Sequence, residues 1–376
     1  MLWCFFTLGA TEVSMERPIF KPVGTPVAEL DTPTLVLDLT LVEQNLVTLH
    51  TFFQQCPAKV RPYVTAHRCP TLAHKQLAAG GTVDGIGVST VGEAEVFAGH
   101  GFDDILIANA IVSRPKIRRL CALARQTNMT VAVDNPAHVQ ALSEAATAAG
   151  VTLQVVVGLQ THAQGCGVAP GQPAVALAQQ VHTSSHLVFA GLMSYAGPVF
   201  HADAARQEIQ QAVDTRELVE RAGLPVRIVS TGTTSNYTIA GSTSGVTEVL
   251  AGTYVLLDAH YAAHCPQFAP AARVLTTISS RPEPGTAIAD AGQKAVSTDR
   301  GLPLVDLPLA TVTSLSAEHC RLQLTGTTAA TLQLGAQCWL TPYDLGTCIN
   351  LYDYVHVARH DHLEAVWRVA ARGQYR

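Results

Sequence analysis

Nowhere in this chain do two cysteines form a C-x-x-C pair, and no block of Lys and Arg stands out. The nine cysteines are odd in number and irregularly spaced, which argues against a disulfide framework and for a reducing compartment. The missing basic block, with a formal net charge of -5, removes nucleic acid from the expected partners. Also missing is any uninterrupted run of the ~18 apolar residues that a spanning helix needs. The opening Met1–Phe6 is apolar only briefly and has no basic lead, so no signal peptide is expected, and Met15 is an alternative start. These features lead to the expectation of a cytoplasmic protein that binds neither membrane nor nucleic acid.

Charge is scarce as well: 14% of residues are charged and 48% hydrophobic, so the chain can bury a large core and is not disordered. Its 376 residues suit a large α/β barrel with a second, smaller unit. Eight runs, apolar almost throughout, read as strands buried on both faces: Lys59–Val64, Val83–Ser89, Asp104–Asn109, Thr130–Asp134, Leu153–Gly158, Leu187–Tyr195, Val226–Thr231 and Glu248–Val255. Between them, six segments from Thr71–Ala79 to Asp203–Ala222 have helical spacing. Asn135-Pro136 and Ser113-Arg114-Pro115 signal helix starts, and Gly80, Gly99, Gly150 and Gly223 signal ends. The reading is an α/β fold, a (β/α)8 TIM-type barrel, over an open doubly wound sheet. The dinucleotide signature of the latter fails, since Gly85-Ile86-Gly87 is followed by Thr90 where the third glycine belongs. After about Pro270 closely spaced strands broken by Pro and Gly predict a β-rich C-terminal domain. The expected division is an extension over 1–29, a barrel over 30–266 and a β domain over 267–376, which the strand at 34–39 is free to join.

In a barrel of this type the chemistry sits at the C-terminal ends of the strands. There Ser230-Thr231-Gly232-Thr233-Thr234-Ser235 reads as a phosphate nest or as an ordinary Ser/Thr-rich loop, with Gly252-Thr253-Tyr254 as its second wall. Tyr195 reads as a ring-stacking wall or an aromatic barrel filler. His67 reads as an orphaned catalytic neighbour or a hydrogen-bonded wall residue. Cys69 and Cys166 are expected to be buried, inert thiols.

The segments DTPTLVLDL (Asp31–Leu39), VRP…HRCP (Val60–Pro70), VGEAEV (Val91–Val96), AVDNP (Ala132–Pro136), GCGVAPG (Gly165–Gly171), GVTEVLAGTYVLLDAHY (Gly245–Tyr261) and DAGQKAVSTDRGLP (Asp290–Pro303) resemble, in order, fold-type III enzymes that use pyridoxal phosphate (PLP), of the D-serine dehydratase / D-threonine aldolase group. The resemblance runs from about Glu29 to Gly373. It implies an alanine racemase-like barrel that holds PLP through a lysine ending the first barrel strand, a divalent metal held by a pair of ligands in the β domain, and a dimer.

Several positions depart from that pattern. Thr65 stands at the lysine position, and a hydroxyl cannot form an imine, so covalent PLP binding is not expected. Lys59 lies six residues upstream, about 20 Å away at ~3.3 Å per residue, and Lys294 is the remaining substitute to weigh. Asp344 and Gly346 stand at the metal-ligand positions, and a lone aspartate is a poor site, so no metal is expected and Asp344 reads as a turn residue. Gly165 replaces an arginine that would face the cofactor or substrate anion. The favoured reading is a non-catalytic or divergent homologue whose barrel mouth binds a phosphate-bearing or PLP-like ligand without a Schiff base, as a homodimer or paired with an active relative. The alternatives are a D-amino-acid lyase using a substitute lysine and PLP with metal, or a barrel enzyme with non-PLP chemistry.

Overall fold

The apolar runs form a barrel in the computed structural model, which describes residues 20–162, 165–194 and 197–376. A first strand, β1 (Thr34–Asp38), stands outside the barrel. It leads into α1 (Leu39–Gln55), a helix that the expected strand at Thr34–Leu39 did not foresee. The Asp38 carboxylate starts that helix by accepting from the amides of Thr40 and Leu41. The barrel strands are β2 (Lys59–Pro62), β3 (Ile86–Val88), β4 (Asp104–Ala110), β5 (Asn128–Val133), β6 (Leu153–Gly158), β7 (Leu187–Met193), β8 (Ile228–Ser230) and β9 (Glu248–Ala251). All are parallel, in the order β2-β9-β8-β7-β6-β5-β4-β3, and bridges Val60–Thr82 and Tyr63–Gly87 close the seam. A Cβ on Gly87 would lie 2.4 Å from Leu250 Cδ1, so this glycine serves close packing across the barrel.

The helices between these strands are α2 (Pro70–Ala78), α3 (Val91–Ala98), α4 (Arg114–Leu123), α5 (Pro136–Ala149), α6 (Gln172–Thr183), α7 (Ala202–Arg221) and α8 (Tyr237–Ser242). Asn135 caps α5 through Ala137 N, and Gly150 ends it at φ 65°. Ser113 makes no such side-chain bond at the start of α4.

The second unit contains β10 (Ala272–Glu283), β11 (Thr286–Ala289), β12 (Leu304–Val305), β13 (Ala310–Leu315), β14 (Cys320–Leu324), β15 (Gln337–Thr341), β16 (Tyr354–Arg359) and β17 (His362–Arg368). Short helices α9 (Ala259–Ala262), α10 (Gly326–Thr331) and α11 (Leu345–Ile349) accompany it. Its main path runs β13-β14-β11-β10-β1-β16-β17. Thus β1 sits inside this sheet, antiparallel to β10 (Thr34 opposite Leu275) and parallel to β16 (Val36 opposite His356). Leu35 and Leu37 share one buried core with Phe53, Tyr254 and Val255 on the barrel side and Leu340 and Val355 on the other. That common core fixes the β domain against the β2/β9 flank of the barrel.

At its N-terminal end the barrel is closed by an arc of polar side chains. Arg61 binds Glu248 through Nε and Nη2 at 2.9 and 3.0 Å, and Asp104 through Nη1 at 2.5 Å. Asn128 donates to Asp104 at 3.0 Å, Gln154 to Asn128 at 2.5 Å, and Arg227 to Gln154 at 2.7 Å. Leu106, Ala132, Val156, Ala190, Met193 and Leu250 fill the interior above this arc. No helix among the described residues is long and apolar enough to cross a membrane.

Candidate functional site

Two adjoining clefts open where the barrel strands end. The first, of about 390 Å³, lies between the barrel and the β domain and is lined among others by Ala66, Gly252, Asp258, His260, Arg300 and Asp344. The second, of about 330 Å³, lies over the barrel axis between Tyr63, Ser89, Asn109, Asp134, Cys166 and Met193.

Thr65 sits between them on a 3-10 turn, Val64–Ala66, that follows β2 directly. Its Oγ1 donates to Glu93 Oε2 at 2.7 Å and accepts from Ser89 N at 2.9 Å. Glu93, only 3% exposed, also accepts from Ser89 N at 2.9 Å and faces Arg68 Nε at 3.3 Å. Tyr63 hydrogen-bonds Ser89 through their hydroxyls. Burial, the largest influence, raises the Tyr63 phenol above its ordinary pKa. Arg68 donates a further bond to Gly346 O and so ties this turn to the β domain.

His67 borders the first cleft. It is fully buried, its Nδ1 accepts from Cys69 N at 3.1 Å, and its Nε2 lies 2.9 Å from Gln76 Oε1. The first bond leaves the proton on Nε2, so the ring is neutral and donates to Gln76. Burial pushes its pKa down to about 4. The wall-residue reading therefore has geometric support. The relay continues from Gln76 Nε2 to the Tyr254 hydroxyl at 3.0 Å, and that hydroxyl lies 2.7 Å from His50 Nε2. Tyr254, expected in the phosphate wall, has its ring fully buried in the core behind the barrel. The strand expected to reach Val255 stops at Ala251, and the 3-10 turn Thr253–Val255 swings the ring outward. Only its backbone reaches the loop, with Tyr254 N donating to Thr234 Oγ1 at 3.1 Å.

The remaining loop residues lie together. Thr231 Oγ1 lies 2.7 Å from Ser194 Oγ, and Thr233 Oγ1 3.0 Å from Ser235 Oγ. Asn236 Oδ1 accepts from Thr233 N at 2.8 Å. Gly232 has φ +88°, and a Cβ there would lie 2.5 Å from Ala240 Cβ. A Cβ on Gly252 would lie 2.1 Å from Tyr63 O. Thr253 lines the first cleft. Most loop hydroxyls are thus engaged with one another, while the buried Ser230 Oγ at the head of the loop has no partner among the described residues. Tyr195 lies outside the described residues.

Cys69 is buried, but Cys166 is exposed, contrary to expectation: it rides on the loop after β6 at the edge of the second cleft. Asp344 caps α11 through Thr347 N at 3.0 Å, a more definite role than a turn. Gly346 presents only backbone. Glu93, Asp258, His260 and Arg300 escaped the sequence reading. The Thr90-x-x-Glu93 spacing of a capping box was the one available signal for Glu93.

Comparison with known proteins places these features in context. The family signature described as "Alanine racemase, N-terminal domain" matches residues 37–259, and that described as "Putative serine dehydratase domain" matches residues 271–358. A D-threonine aldolase from Arthrobacter sp is 33% identical over 362 residues, covering 93% of this chain and 95% of the relative. The crystal structure of D-threonine aldolase from Filomicrobium marinum superimposes with a TM-score of 0.89 at 33% identity, covering 95% of this chain and 100% of that one. D-threo-3-hydroxyaspartate dehydratase from Delftia sp. HT23 gives a TM-score of 0.83 at 26% identity, over 92% and 98% of the two chains.

Proposed function

Since this chain belongs to the fold-type III family that joins an alanine racemase N-terminal barrel to a serine dehydratase domain, a PLP-dependent family of D-amino-acid lyases, we propose that it is a member that binds a phosphate-bearing or PLP-like ligand at the barrel mouth without a covalent bond to it. The observation that carries this reading is the surrounding of Thr65. Its hydroxyl is held by Glu93 and Ser89 N at the position where the family's lysine is expected.

No other lysine is at hand. The chain has five, and none lines either cleft. Lys59 Nζ donates to the carbonyls of Phe53 and Cys56 at the foot of β2. Lys75 lies over the Trp367 ring, and Lys294 pairs with Glu318 at an exposed site. Lys116 lies on α4, and Lys21 lies 3.9 Å from Asp31. A primary amine is the nucleophile that covalent PLP chemistry requires, so the residues present fit a bound phosphate and ring better than the full cofactor linkage. The support for a phosphate is the left-handed Gly232 cradle and the unpartnered Ser230 hydroxyl beside it.

The test is to add PLP to the purified protein and to Thr65→Lys, dialyse, and record visible spectra before and after borohydride. A borohydride-fixable band in Thr65→Lys alone is the expected result. A fixable band in the unmodified protein would overturn the reading and point to a substitute lysine. No retained PLP in either protein would also count against it.

A further inference from the structure

The first cleft contains the positions where the family resemblance places a divalent metal, yet its residues do not suit one. Among the described residues no group of three or more His, Cys, Asp or Glu side chains could hold a metal. The two carboxylates of the cleft already hold backbone. Asp258 Oδ1 accepts from Tyr261 N at 2.9 Å and caps α9, and its Oδ2 accepts from Leu345 N at 3.3 Å. Asp344 caps α11 through Oδ1, and its Oδ2 faces Arg300 Nη1 at 3.3 Å.

Arg300 is therefore the cation of this cleft. Its side chain is 55% exposed and makes a single bond to Asp344, and its other guanidinium N–H groups have no partner among the described residues. It lines the cleft together with Asp258, His260 and Tyr261. Across from it His260 Nδ1 and the Tyr343 hydroxyl are 3.1 Å apart. Val255, Leu256 and Leu345 give the cleft apolar lining, and Phe200 meets His260 edge-on at 5.2 Å. Planar guanidinium edges bind carboxylates through paired hydrogen bonds, which a spherical metal does not require and an ammonium does not supply.

We propose that this cleft is a carboxylate site in which Arg300, seated on Asp344, supplies the positive charge without a divalent metal, and that its ligand is a small monocarboxylic acid. The carboxylate meets the free edge of Arg300, and a hydroxyl or keto oxygen on the ligand turns to the His260–Tyr343 pair. Because Asp258 and Asp344 already bring two negative charges, a monocarboxylate is preferred to a dicarboxylate. The inference rests on the proposed function only in taking the mouth as a small-molecule site, and it does not depend on PLP.

The experiment is a proton NMR titration of lactate into the full-length protein at pH 7, with and without EDTA, beside Arg300→Gln, Arg300→Lys and Asp344→Asn. The expected result is saturable binding that EDTA leaves unchanged and that Arg300→Gln weakens about tenfold or more, the loss expected for one charge-assisted pair. Arg300→Lys falls between, and succinate binds more weakly than lactate. Absence of saturable lactate binding, equal affinity in Arg300→Gln, or binding that EDTA abolishes and zinc restores would overturn the proposal. Melting temperatures of the three variants show whether each is folded. The PLP spectra of Thr65→Lys are read separately, so either reading can fail alone.

Discussion

The two ends of the barrel are made of opposite materials. At the N-terminal end, long polar side chains reach across the axis and satisfy one another, from Arg227 through Gln154, Asn128 and Asp104 to Arg61 and Glu248. At the C-terminal end, Thr65, Gly165 and Gly346 are short, and two clefts open beside them. At the lower end the Arg61–Glu248 pair is buried and demands charge matching, while Asn128 and Arg227 at the far side of the arc are exposed. The upper end keeps backbone geometry and leaves side-chain space. The difference shows that the scaffold and the pocket are held by separate groups, so the residues of one can change while the other stays intact.

The sharpest way to break this contrast is Glu248→Ala. It would strand the Arg61 charge, 4% exposed, with Asp104 alone. A loss of about 3–5 kcal/mol is expected by denaturant titration. A loss below ~1 kcal/mol would mean that the floor is no more binding than the mouth.

Next in size is the pH response of the relay behind the mouth. Burial holds the His67 pKa near 4, while an unfolded histidine titrates near ~6.5. Below the unfolded value, the unfolded chain takes up a proton that the folded one refuses, so stability falls as pH drops from about 6.5 toward 4. At full extent the fall is about 3 kcal/mol. His50, lowered in the same direction by burial, adds to it. Denaturant midpoints at pH 7 and pH 5 should diverge less in His67→Gln than in the unmodified protein, and equal divergence would remove His67 as the cause.

The smallest effect belongs to the mouth itself. Thr65→Ala deletes one hydroxyl bonded to Glu93, at a cost of about 1 kcal/mol in a thermal or chemical melt. A much larger loss would show that Thr65 holds the scaffold and would erase the contrast between the two ends.

Most of the barrel was legible because strands buried on both faces leave continuous apolar runs, such as Leu153–Gly158. The helix α1 was not, since Thr34–Leu39 reads as one strand and only the Asp38 cap shows where it turns. Strand β13 escaped too: its residues, Ala310–Leu315, are half-buried or exposed at the sheet's edge and carry no core pattern. At the site, Thr65 could be placed because its neighbours in sequence match a family pattern. Tyr254 could not be oriented, because the turn that swings its ring outward follows a strand of the same apolar texture. Arg300 and Asp258 come to line one cleft only when the two units pack, and no local spacing announces that.

The place of β1 has a bearing on how the chain is made. Leu37 pairs with Ala272, 235 residues later, so this strand leaves the ribosome long before either neighbour exists. At ~5–20 residues per second the wait is roughly 10–50 s. During that interval the barrel strands are all made while the apolar strand Thr34–Asp38 has no sheet to enter, so the β domain can close only after the last part of the chain is out.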